Sequence, residues 1–153
     1  MTTLATIHTR LVAICALHSG VVTAQKWYPD DHTGFTATEV PAVCVSPAPN
    51  SSNQLLDGGQ FVNSQDWVLA WFIKHFPGET KLRDRTTWDL LVPYIQSVPA
   101  LFNAHRSLEI PGSALGIVSK ITLPAVTSLA PATFDGGMFA AIGFRMTTFT
   151  IQS

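Results

Sequence analysis

The chain has 153 residues, of which 46% are hydrophobic and only 12% charged, with a formal net charge of −1. A soluble domain normally carries about 25% charged residues. Near-neutrality gives no basic face for nucleic acid and no acidic tail or polybasic cluster, and the longest apolar runs fall well short of the ~18 residues a membrane-spanning helix needs. The length points to one domain over residues 1–153, and the apolar surplus to protein–protein contact.

Thr2 or Thr3 is placed to cap a helix running to about His18, with Leu4, Ile7, Leu11, Ile14 and Leu17 on one face and Gly20 as its stop. Arg10, the run Leu11–Leu17 and the small residues Val22-Thr-Ala24 mimic a signal peptide. His18 and Gly20 interrupt that run, so it reads as an amphipathic helix. Val21–Tyr28 reads as a strand, followed by a turn over Pro29–Gly34. Val40–Val45 is a short apolar strand with Pro41 at its start or on an edge. Ser46–Gly59, rich in Pro, Asn, Ser and Gly, reads as a long loop.

Gln60–Phe76 is the longest strand. Trp67, Leu69, Trp71 and Ile73 alternate on one face, and Val68, Ala70, Phe72 and Phe76 fill the other. A strand apolar on both faces is covered twice, and another subunit could supply the second cover. Asn63-Ser64 is the expected place for a bulge. A helix over Lys81–Ser97 should kink or break at Pro93, and a second, capped at Ser97 with Pro99 in its first turn, should reach His105. Gly116–Leu123 alternates as a strand, Pro124–Phe134 reads as irregular and Asp135-Gly-Gly137 as a turn. Met138–Ile151 closes the chain. Its apolar side switches after Thr147 to Phe149 and Ile151, which suggests a bulge or a tail passing onto a partner. The order of elements gives an α+β fold, a mainly antiparallel β-sheet with helices packed on one face.

Chemistry-bearing residues are sparse. His8, His18, His32, His75 and His105 show no zinc spacing, and His8 and His18 read as polar-face or helix-end groups. Cys15 and Cys44 sit among apolar residues and read as buried thiols. Asp30, Asp31 and His32 form the sharpest polar cluster: a solvated turn, or a cation or acid–base site. Lys81–Arg85 is the one dense charged segment, a solvated helix start or a phosphate grip. Neither Gly-Gly pair has P-loop spacing. Trp27, Trp67, Trp71 and Trp88 fit core packing and subunit interfaces, or an aromatic ligand pocket around Trp67 and Trp71. No catalytic, cofactor or metal residues are assigned. The composition favours a structural component over a small metal-dependent enzyme at Asp30, Asp31 and His32.

The N-terminal helix closed by Gly20, the strand ending in Tyr28-Pro29 and the Val40-Pro41-Ala42-Val43 strand come in a telling order. They are followed by Trp67-x-Leu69-x-Trp71, a helix with Leu90-Leu91, the Val98-Pro99-Ala-Leu101 turn and the closing Phe139–Phe144 strand. This ordered set, spanning nearly the whole chain, resembles the tail terminator proteins of long-tailed bacteriophages; other neck proteins, for tail completion or head closure, are similar at this level. The resemblance implies a hexameric ring that caps the tail tube, ends its polymerisation and presents a surface to the head–tail connector proteins. Genomic DNA would pass through the hole without sequence recognition, and the subunits, assembled in the host cytoplasm, would reside in the virion. On this reading the contact residues are Asn53, Leu55 and Leu56 in the long loop, Phe61 at the start of the long strand, Pro77, Lys81, Arg83 and Arg85 after it, and Phe149 and Ile151 at the end. The Ser46–Gly59 loop and the Thr-rich end, Thr147 to Ser153, depart from the family pattern.

Overall fold

A computed structural model describes residues 2–27, 35–76, 85–110, 115–129, 132–134 and 137–152. Two helices, α1 (Leu4–Cys15) and α2 (Arg85–Asn103), accompany β1 (Thr23–Lys26), β2 (Ala42–Leu55), β3 (Phe61–Phe76), β4 (Lys120–Ile121), β5 (Ala125–Ser128), β6 (Ala132–Phe134) and β7 (Gly137–Gln152). The strands form one sheet in the order β1-β2-β3-β7-β4, with β5 and β6 also paired to β7. Every pairing is antiparallel except β1 with β2. The fold is therefore α+β.

Thr3 caps α1, its Oγ1 accepting from the Thr6 N–H at 3.1 Å. The helix ends at Cys15, a turn before the expected His18, and Gly20 takes a positive φ of 84° beyond it. Ile7, Leu11 and Ile14 are buried, whereas Leu4 and Leu17 are exposed at the two ends of the stripe. His8 is not on the polar face. It is buried, and Nε2 donates to the Val45 carbonyl at 2.6 Å, which satisfies the ring nitrogen against the sheet.

Burial holds the His8 pKa below its ordinary 6.5, with the Lys26 charge acting in the same direction and the Val45 hydrogen bond opposing. Below about pH 6.5 the unfolded chain then takes up a proton that the folded chain resists, so stability falls as pH drops through that range. Between pH 7.5 and 5.5 the melting temperature should fall further in wild type than in His8→Gln. Equal slopes would remove His8 from the account.

The Ser46–Gly59 loop reading is corrected. β2 continues to Leu55, and only Asp57–Gly59 forms a short 3₁₀ turn. A register irregularity between Pro47 and Ser51 absorbs the prolines, after which Ser51–Leu55 pair with Phe61–Gln65. Side chains reinforce that ladder: Ser52 and Ser64 hydroxyls lie 2.6 Å apart, and Asn63 Nδ2 donates to Asn53 Oδ1 at 2.8 Å. Strand propensity here yields to a long partner already in place. The ladder runs without a bulge through Asn63-Ser64; the β3–β7 register shift lies between Phe72 and Lys74 instead.

The core fills the space between the sheet and the two helices. It includes Val43, Val45, Trp67, Leu69, Trp71, Ile142, Phe144 and Met146 from the strands, with Leu91, Val98 and Phe102 from α2. A smaller cluster on the opposite face joins Ala42, Cys44, Phe72 and Phe139 under Phe35, with Trp27 packed against it. At this end the chain covers its own second face. Cys15 and Cys44 are both buried thiols, and burial pushes the Cys15 pKa well up.

One continuous α2 replaces the two expected helices. Leu91, Val98 and Phe102 anchor it on the sheet around the prolines, and Pro93 lies on its exposed side. Ser97 is not a cap; its hydroxyl is hydrogen-bonded to His18 Nε2 at 2.8 Å.

The strand expected over Gly116–Leu123 shrinks to Lys120–Ile121. Gly116 instead comes so close to Ser107 that a Cβ there would lie 2.5 Å from Ser107 Cβ. The stretch read as irregular, Pro124–Phe134, contributes β5 and β6, because β7 offers it an open edge. The switch after Thr147 is not a bulge. Pairing with β3 continues unbroken to Gln152, and Thr148 and Thr150 occupy the buried face as polar residues. Trp67 Nε1 donates to Thr148 Oγ1 at 2.9 Å, which is why a threonine is tolerated there. Asp135 lies outside the described residues.

Candidate assembly surface

Six of the ten sequence-predicted contact residues come together at one end of the sheet. The β2–β3 hairpin and the end of β7 build it: Leu55 pairs with Phe61, Phe61 with Gln152, Val62 with Ile151, and Ser64 with Phe149. Cross-strand partners share a face, and successive residues alternate faces. Leu55, Asn53 and Phe61 therefore lie on the helix side of the sheet, and Phe149 and Ile151 on the other, beside Val62. Leu56 follows at the tip. Leu55 is 84% exposed, Ile151 54% and Leu56 39%. Pro77, Lys81 and Arg83 lie outside the described residues, and Arg85 opens α2.

Two cavities flank Lys120. One, of about 240 Å³, is bounded by Gln54, Val62, Phe149 and Ile151. The other, of about 310 Å³, is bounded by Asn103, Arg106, Ile121 and Leu123, and Lys120 and Ser119 line both. Lys120 Nζ sits 4.7 Å from the Phe149 ring centroid, a cation–π contact. Arg106 donates from Nε and Nη2 to Asn103 Oδ1 at 2.8 and 2.6 Å, a neutral acceptor. Neither cation was singled out in the sequence. Lys120 read only as the polar side of a strand, and Arg106 stands in a connection more than ten residues away, so nothing local joins them.

On the side of the sheet away from the helices, Arg145 Nη2 lies 3.2 Å from Asp66 Oδ2, and Thr147 Oγ1 donates to Asp66 Oδ1 at 2.6 Å. Both charged groups are partly exposed, so the pair adds little to stability.

The rival sites fare differently. Trp67 and Trp71 are buried core residues at 1% and 0% exposure and line neither of these two cavities. Among the described residues no group of three or more His, Cys, Asp or Glu is arranged to hold a metal; Asp30, Asp31 and His32 lie outside them. His105 Nδ1 donates to the Glu109 carbonyl at 2.8 Å, and the His75 ring packs on Phe139 with centroids 4.9 Å apart. No helix among the described residues is long and apolar enough to cross a membrane. Comparison of the sequence with models of protein families and with curated proteins finds no match.

Proposed function

We propose that the chain is a structural virion protein, a tail terminator that closes into a ring, ends growth of the tail tube and joins it to the head connector. The observation that carries this reading is the sheet end, where Leu55 and Leu56 on the β2–β3 hairpin and Ile151 on the adjoining β7 stand in solvent. Apolar side chains exposed together at one sheet end cost solubility and add nothing to the core, which supports a contact surface there. Burying these three side chains would gain about 4 kcal/mol. That is small beside the ~4–15 kcal/mol lost when two free molecules become one. A single such contact is weak; a closed ring, in which each subunit makes two, is how surfaces of this size hold together.

The function would be geometric. One face of the ring copies the docking surface of the tube subunit, and the other lacks the site for a further layer. Deleting the protein from its virus should leave tails of uncontrolled length that do not join heads. Tails of normal length beside leaking heads would contradict termination and assign a head-closure role.

A further inference from the structure

At the level of Ser51–Leu55 the sheet has two different borders. β1 pairs only with Ala42–Val45, so among the described strands β2 is outermost here. On the far side β4 is outermost, paired with Thr148 and Phe149. The first border carries the tip, Leu55-Leu56-Asp57, with all three side chains exposed. The second carries the 310 Å³ cavity, lined by Ile121 and Leu123 together with Arg106 and Lys120. No carboxylate lines that cavity among the described residues, and the Glu109 carboxylate nearby is turned to the Ser107 N–H at 2.9 Å.

The two borders are complementary: two leucines and a carboxylate on one, two apolar side chains with two cations on the other. Three strand spacings of about 4.8 Å separate β2 from β4, and the tip is held in its own hairpin by the Leu55–Phe61 pairing and the Leu56 N–H donating to the Gln60 carbonyl at 2.8 Å. A tip cannot fold back into its own socket. We infer that the Leu55–Asp57 tip of one copy seats in the Arg106–Lys120 socket of the next, with Leu55 and Leu56 toward Ile121 and Leu123 and Asp57 toward the cations. The contact is head-to-tail, so it propagates from copy to copy, and a rotation that closes makes it the ring of the assembly reading. This inference rests on the assembly reading above and adds the surfaces that meet.

Charge reversal tests it in the full-length chain. Asp57→Lys and the double variant Arg106→Glu/Lys120→Glu should each need at least about tenfold more protein than wild type for half-assembly in sedimentation velocity, about 1.4 kcal/mol per contact. An equal mixture of the two should regain rings, because each reversed tip then meets a reversed socket on another copy. Unchanged melting curves show that the exposed substitutions leave the fold intact, and Arg106→Glu alone replaces the double variant if the loss of Lys120 from Phe149 disturbs it. Variants that assemble like wild type, or a mixture no better than its components, would overturn the tip–socket pairing and leave the assembly reading standing. A wild-type chain that stays monomeric would overturn both.

Discussion

Trp67→Ala should lower the unfolding free energy by about 4 kcal/mol, the range for deleting a fully buried large aromatic. Trp67 is 1% exposed and stands at the centre of the sheet, opposite Pro47 on β2 and Met146 on β7. The His8 ring packs on it with centroids 5.2 Å apart. Its Nε1–H is also the donor to the buried Thr148 hydroxyl. Alanine would leave a cavity and remove the hydrogen bond together, and losses of this size take much of the ~5–15 kcal/mol total of a typical domain. Urea titration reads it directly. Leu55→Ala, on a side chain in solvent, should stay within about 0.5 kcal/mol of wild type. A Trp67→Ala loss under about 1 kcal/mol would mean that this tryptophan is not the centre of the core.

The second large effect belongs to Arg10. From a half-buried position on α1, Nη1 donates to the Leu108 carbonyl at 2.6 Å and to the Leu115 carbonyl at 2.7 Å. One guanidinium thus ties the chain leaving α2 to the chain returning toward β4. Leu108 is itself fully buried and holds a positive φ of 58°, a conformation that an L side chain adopts only when its surroundings enforce it. Hydrogen bonds from a charged donor are each worth about 1.5–3 kcal/mol. The Leu115 bond lies in solvent and adds little, so Arg10→Ala should cost about 2–3 kcal/mol in the same titration, and Arg10→Lys, with a shorter reach and no planar head, should recover only part of it. Full stability in Arg10→Ala would show that Leu108 holds its conformation without the clamp.

What the sequence made legible was mostly alternation. Trp67, Leu69 and Trp71 face the helices as their spacing requires, and Phe149 and Ile151 point away from them although Met146 points toward them. The reason was not legible: Thr148 and Thr150 keep the buried register, and a threonine looks like the end of an apolar face until its hydroxyl is seen to serve Trp67. β2 was hidden for a similar reason. Ser51, Ser52 and Asn53 carry weak strand propensity, and only the register against Asn63 and Ser64 makes them a ladder. In α2, Pro93 read as a break because local rules do not include Leu91, Val98 and Phe102 gripping the sheet on both sides of it. The proposed contact surface was half visible. Its apolar members stood out as leucines and aromatics without an obvious core role. Arg106 and Lys120 did not, since the topology alone brings the end of α2 beside β4.

Closed rings of identical subunits are the claim on which the rest depends. Sedimentation velocity on the wild-type chain over a wide concentration range, with negative-stain images of the heaviest fraction, measures them most directly. One discrete assembled species is expected, annular in projection, that gives way on dilution to monomer without a ladder of intermediates. A monomer at every concentration, or open fibres of unlimited length, would contradict it.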